Sequence, residues 1–248
     1  MVDSSLFGCG HRPRYVFLTR VFPRDFPENL FFCARKKLLW KDKIPRNRVY
    51  LISGERMMIL WTFQPAAIWD LLLTKGVYRC DSSQIDPDFR DAYDWLAGKM
   101  KERIGLPPRG VEYPVWAWYI QNWKHVKPDL RRERWCYGNG GELFACIEIE
   151  VPDEDVLLSD FDNWHCVLNR YLVSETEEED KQQDAYCGTL SEDEKRSYME
   201  KNWERIFDIT PFENDWTSRG KWVQAVFWEL KKEQIRKVRF FRTVHAKF

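Results

Sequence analysis

The sequence holds no apolar run approaching the ~20 residues that a membrane-spanning helix needs, so no membrane segment is expected. No charged n-region followed by an apolar h-region opens the chain, so no secretory signal is expected either. Cys-x-x-Cys is absent, and the seven cysteines (Cys9, Cys33, Cys80, Cys136, Cys146, Cys166 and Cys187) make an odd number. Neither a disulfide framework nor a zinc ribbon is expected; the thiols read as free, in a reducing cytoplasm. No ligands stand at recognisable metal spacing. Gly-x-Gly-x-x-Gly, Walker A, Gly-x-Ser-x-Gly and His-Glu-x-x-His are missing, which argues against enzymes built on those motifs.

What is present is a globular composition, with 44% hydrophobic and 31% charged residues in a chain of 248, enough for one sizeable domain. Thirteen tryptophans are unusual, and so many large rings suggest a lined groove as well as a core. The formal charge of zero hides a split. Residues 1–57 carry 12 Lys+Arg against 5 Asp+Glu, and residues 58–248 carry 27 against 34. The first stretch is poorly periodic, with one conceivable strand at Val49–Ile52. Gly54-Glu55-Arg56 can be encoded by a purine-rich ribosome-binding sequence just ahead of Met57 and Met58. Residues 1–57 are therefore read as an upstream extension, with translation beginning at Met57 or Met58. The rival reading is a poorly ordered basic arm for nucleic acid. Residues 58–248 are read as a single domain.

Within that domain, Met58–Phe63 reads as a strand, and Pro65 sits at the first position of a helix over 66–74 that stops at Gly76. A second helix is expected from Pro87 to about Arg103, with Phe89, Tyr93, Leu96 and Met100 on one face. Tyr113–Ile120 reads as a strand with Trp116 and Trp118 on one face and Val115, Ala117 and Tyr119 on the other. Leu143–Val151 alternates with a wholly apolar face. Glu175–Asp184 reads as an acidic connector, and Ser191 with Glu194 as a capping box for a helix through about Phe207. Asn214–Gly220 is expected to be loop, followed by a strand over Trp222–Glu229, a helical turn over 231–235 and a last strand over 237–243. Helices and strands are interspersed without regular βαβ alternation. The fold class is therefore α+β, one compact domain with a largely antiparallel sheet and flanking helices.

The junction Leu157–Asn169 concentrates polar chemistry. Ser159 reads as the N-cap of a helix whose stripe is Phe161, Trp164, Val167, Leu168 and Tyr171, and Asp160, Asp162 and His165 lie beside it. A carboxylate three residues before an imidazole can orient and charge it for acid–base work; the ordinary alternative is a capped helix with a boundary pair. The ladder Trp116, Trp118, Tyr119 and Trp123 beside Lys124, Lys127, Arg131 and Arg132 allows base stacking with phosphate contacts, or simply a packed strand. Lys231, Lys232, Arg236, Lys237, Arg239 and Arg242 form a basic C-terminal face.

The order Leu60-Trp61-Thr62-Phe63-Gln64, Ala92-Tyr93-Asp94-Trp95-Leu96, Tyr113–Tyr119, Lys127-Pro128-Asp129-Leu130-Arg131, Leu157–His165 and Trp228-Glu229-Leu230 resembles an uncharacterised bacterial family, a domain of unknown function numbered 3841, over about residues 58–243. That family brings no established activity. A more distant likeness is to ADP-ribosyltransferase-like domains, carried by Ile59–Gly76 and Trp222–Phe241. Trp61 and Thr62 stand where that family often places a His or Arg for NAD, and Gln224, with Glu229 five residues on, stands near its catalytic Glu. The resemblance implies NAD or nucleotide binding in an aromatic cleft. Trp61, Thr62, Trp116, Trp118, Tyr119, Asp160 and Trp164 would line it, Lys127 and Arg131 would meet the pyrophosphate, and Gln224, Glu229, His165 and Asp162 would be catalytic. The alternatives are a non-catalytic nucleic-acid-binding module using the same aromatics and the basic C-terminal face, or a protein-interaction adaptor in a bacterial or phage system.

Overall fold

The computed structural model describes residues 56–138 and 140–244. The extension or basic arm expected over 1–57, with its strand at Val49–Ile52, lies outside these residues apart from its last two positions. The chain runs β1 (Met57–Pro65), α1 (Ala66–Lys75), β2 (Val77–Tyr78), α2 (Arg90–Ile104), β3 (Val115–Gln121), α3 (Leu130–Glu133), β4 (Leu143–Pro152), β5 (Leu157–Asp160) and α4 (Phe161–Leu168). It continues through α5 (Glu177–Cys187), α6 (Glu192–Trp203), β6 (Phe212–Glu213), β7 (Ser218–Arg219), β8 (Trp222–Phe227), β9 (Leu230–Lys231) and β10 (Ile235–Arg242).

Six strands form one sheet in the order β10-β4-β1-β3-β8-β5, every neighbouring pair antiparallel. The fold is therefore α+β with a largely antiparallel sheet. The alternation in β4 aims Ala145, Ile147, Ile149 and Val151 at one face, where Leu60, Val115, Ala117, Ala225 and Phe227 join them under Ile68 and Leu72 of α1. Gly76 closes α1 in the left-handed region (φ 76°), its N–H donating to the Leu72 carbonyl at 2.9 Å, a conformation that costs a Cβ-free residue little. The other face carries two clusters. Toward β5 it packs against α2, α4, α6 and the turn after α6 through Tyr93, Leu96, Met100, Trp164, Val167, Trp203 and Ile206. Toward β4 it carries Trp61, Phe63, Trp118 and Cys146, covered by Tyr137, Phe161 and Phe241.

Several local expectations are corrected. Helix α4 starts later than Ser159 would place it: residues 157–160 pair with β8 as the edge strand, which satisfies their backbone on that side. Asp160, in extended conformation, is the cap instead, its carboxylate accepting the Asn163 N–H at 2.9 Å. Pro65 ends β1 and precedes the helix rather than opening it. The acidic connector is helix α5. Thr176 caps it, and Glu177, Glu178, Glu179 and Asp180 put negative charge on the positive end of the helix dipole. The loop expected over 214–220 contains β7, which pairs with β6 in a short hairpin. The helix expected from Pro87 opens as a single 3-10 turn, Pro87–Phe89. The capping box of Ser191 and Glu194 forms as read.

β1 and β3 are joined at one register pair, Trp61 with Trp118, and the β3–β8 register shifts between Trp118 and Ile120. Where β3 leaves β1, His125 fills the gap. Its Nε2 bonds the Ile59 carbonyl at 2.8 Å and its ring lies 5.2 Å from Trp61 and 4.6 Å from Tyr119. Among the described residues no helix is long and apolar enough to cross a membrane.

Candidate functional site

Pairing places six residues in one row across all six strands: Lys237, Glu148, Trp61, Trp118, Gln224 and Ser159. Directly opposed residues share a face, so the row brings the expected site residues Trp61, Trp118 and Gln224 together on the α4 side. Trp61 Nε1 donates to Glu148 Oε2 at 3.2 Å, and Trp118 Nε1 donates to the Tyr137 hydroxyl at 2.9 Å. Trp118 packs on Phe161 at 5.0 Å and on Trp222 at 6.1 Å. Both indoles are buried, so their faces are occupied by protein.

The remaining expected residues are dispersed. Thr62 points to the opposite face from Trp61, donating to the Trp116 carbonyl at 2.7 Å and accepting from Gln64 at 2.8 Å. Tyr119 also belongs to that face. Trp164 is in the main core, 5.3 Å from Trp116 and 5.5 Å from Tyr93. Asp160 is buried, and besides capping α4 it accepts the Gly220 N–H at 2.7 Å; burial pushes its carboxyl up to about 6. Asp162 is exposed in the first turn of α4, and His165 Nδ1 bonds the Phe161 carbonyl at 2.8 Å. Glu229 lies past the end of β8, ion-paired to Arg79 at 2.6 Å and Lys231 at 3.6 Å.

The segment 122–138 covers the β4–β1–β3 end of the row. Asp129 caps α3 and takes a two-pronged bond from Arg131, which holds its carboxyl down at about 2. Lys127 is exposed, and with Arg239 it acts on the Cys146 thiol; Arg239 Nη2 stands 3.9 Å from that sulfur. Burial nevertheless pushes the thiol up to about 11, so it is a poor nucleophile. Burial pushes Glu133 of α3 up to about 7, against the opposing pull of Gln121 and Arg132. Trp135 stands 44% exposed, immediately after Arg131-Arg132-Glu133-Arg134. Sequence reasoning missed Glu133, Tyr137, Cys146 and Trp135. For Trp135 a signal was available, an aromatic ring at the end of a cationic run.

The charge is polarised across the sheet. Toward β10 stand Lys127, Arg131, Arg132 and Arg134, with Arg236, Lys237, Arg239 and Arg242 on β10 itself, against Asp129, Glu133, Glu142, Glu148 and Glu150; Arg236 pairs with Glu150 at 3.4 Å, and Lys124 lies beside β3. Beyond the opposite, β5 side the acidic start of α5 is tied through Glu179 to Arg205 at 2.6 Å, and the last turn of α6 through Asn202 to Val173 and Trp203 to Tyr171. Among the described residues no group of three or more His, Cys, Asp and Glu is placed to hold a metal ion.

No curated protein and no solved structure matches the chain. The sequence model of one family, described as Domain of unknown function (DUF3841), matches residues 59–236, which runs from β1 into the start of β10 and takes in every member of the row except Lys237. The chain belongs to the DUF3841 family.

Proposed function

We propose that the protein binds single-stranded nucleic acid on the cationic surface made by residues 124–135 and β10. The observation that carries this reading is Trp135, a large ring left 44% exposed beside Arg131, Arg132 and Arg134. An exposed ring offers a base a stacking face, and the cations around it meet phosphates; neither reads sequence, so the binding is sequence-tolerant. Lys127 and Arg131 take the role of phosphate contacts. The test is fluorescence anisotropy with oligo-dT and oligo-rU. Affinity is expected to fall steeply with salt, by counterion release, and Trp135→Ala to weaken it about fivefold or more. Salt-independent binding, or none, sinks the reading.

A second reading is NAD or nucleotide binding in the aromatic cleft. It is favoured by three buried polar atoms without partners, Trp116 Nε1, Ser159 Oγ and Gln224 Oε1, contributed by β3, β5 and β8. Together they offer a donor, an acceptor and a hydroxyl, which a carboxamide complements. Entry would require Phe161 and Trp164 to move. A saturable rise in melting temperature with NAD supports this reading, and a cooperative melt unmoved by NAD ends it.

A further inference from the structure

We infer that the nucleic-acid surface continues past Trp135 around the free edge of the sheet to Phe240, so that one strand meets two rings. The inference rests on the proposed single-strand binding. β10 is the last strand of the sheet on this side, and Phe240 on it is 48% exposed, with Leu143 of the neighbouring strand 41% exposed. Exposed apolar residues are common singly; the setting is what distinguishes this one. Arg242, two places on, shares the face of Phe240, Arg239 points to the other face at Cys146, and the Phe240 ring meets Trp69 edge-on at 6.1 Å.

Phe240 faces the α1 side of the sheet and the 122–138 segment covers the other, so the path turns around the free edge, where the chain ties the two supports together. The Val244 N–H, at the end of β10, donates to the Arg134 carbonyl at 2.9 Å, directly before Trp135. The Gly141 N–H donates to the Thr243 carbonyl at 2.8 Å, and Arg242 Nη1 donates to the Gly141 carbonyl at 3.0 Å, closing the ground between the α3 turn and the strand. Phe240 and Val244 are four residues apart, about 13 Å along an extended chain. A stacked strand rising ~3.4 Å per nucleotide covers that in about four steps. Arg242 lies on the way, where a phosphate would pass. A strand edge bearing arginines also discourages pairing with a second protein strand, which leaves its side chains to the polyanion.

The test compares dT3 with dT12 by anisotropy on the full chain. The dT12 oligomer is long enough to reach both rings and dT3 is not. Phe240→Ala is expected to weaken dT12 about fivefold or more and to leave dT3 unchanged. Phe240→Leu, which keeps an apolar contact with Trp69 but removes the π-face, is expected to do the same, so a packing defect in the alanine variant does not decide the matter. If both Phe240 variants bind dT12 as the wild type does while Trp135→Ala weakens it, the path to Phe240 is wrong and the Trp135 surface stands. If neither oligomer binds the wild type, both readings fall.

Discussion

Ser159 on β5 stands directly opposite Gln224 on β8, and the side-chain oxygen of each is buried without a hydrogen-bond partner. Desolvating such a group costs about 1–3 kcal/mol, and replacing it by an apolar group of similar shape removes that cost. Ser159→Ala is therefore expected to be neutral or to stabilise by up to about 1 kcal/mol, read by urea denaturation at unchanged slope. A loss of about 2 kcal/mol would show that the hydroxyl has a partner in solution.

Asp160 ties the start of α4 to Gly220. Asp160→Ala removes both the cap and the acceptor for a buried N–H, and is expected to cost about 2–4 kcal/mol. The wild-type carboxyl titrates near 6 in the fold against 3.8 in a free chain. Between those values the folded protein holds a proton that the unfolded chain has released. The stabilisation is complete below about pH 4 and is lost as pH rises through about 6. Asp160→Asn is expected to flatten that part of the stability profile, and an undiminished slope over it would count against the assignment.

Gly220 has φ +80°, and a Cβ there would stand 2.6 Å from the Ile209 carbonyl oxygen. Both the left-handed backbone and the backbone contact oppose a side chain. Gly220→Ala is expected to destabilise by at least about 2 kcal/mol, more than an ordinary substitution. Thermal melting checks it, with Gly141→Ala as comparison, since that position has similar φ (+79°) and nothing within 4 Å.

Trp164 and Trp135 predict opposite phenotypes. Trp164 is 2% exposed between Trp116 and Tyr93, so Trp164→Ala is expected to cost about 3–5 kcal/mol. Trp135→Ala is expected to change stability by no more than about 0.5 kcal/mol while weakening oligonucleotide binding. A Trp135→Ala protein that binds normally removes the ring from the interface.

Glu133 sits beside Arg132 at the cationic surface and titrates near 7. Raising pH through that value adds a negative charge where a polyanion docks. Oligo-dT affinity is expected to fall between pH 6 and pH 8, and Glu133→Gln to bind more tightly at pH 8 with a flatter profile. An identical pH profile in the variant would exclude Glu133 as the cause.

Local pattern alone determined a large part of this protein. Period-2 alternation placed β4, the 4-3-4 spacing of Phe89, Tyr93, Leu96 and Met100 placed α2, and Ser191 with Glu194 placed the start of α6, because strand pleat, helix period and capping act over a few residues. Even the membership of one face of β3 followed from alternation. Pairing partners did not. The row through Lys237, Glu148, Trp61, Trp118, Gln224 and Ser159 depends on five long-range registers that no neighbouring residue encodes. The same holds for the choice between Ser159 and Asp160 as cap, since strand pairing with β8 runs through Asp160 and makes the last strand residue the cap. Burial was decided last. An indole in the sequence reads equally as stacking platform or core, and only the packing of Phe161, Tyr137 and Tyr93 committed Trp118 and Trp164 to the interior while Trp135 stayed at the surface, because ring faces already covered by neighbours have none left for a ligand.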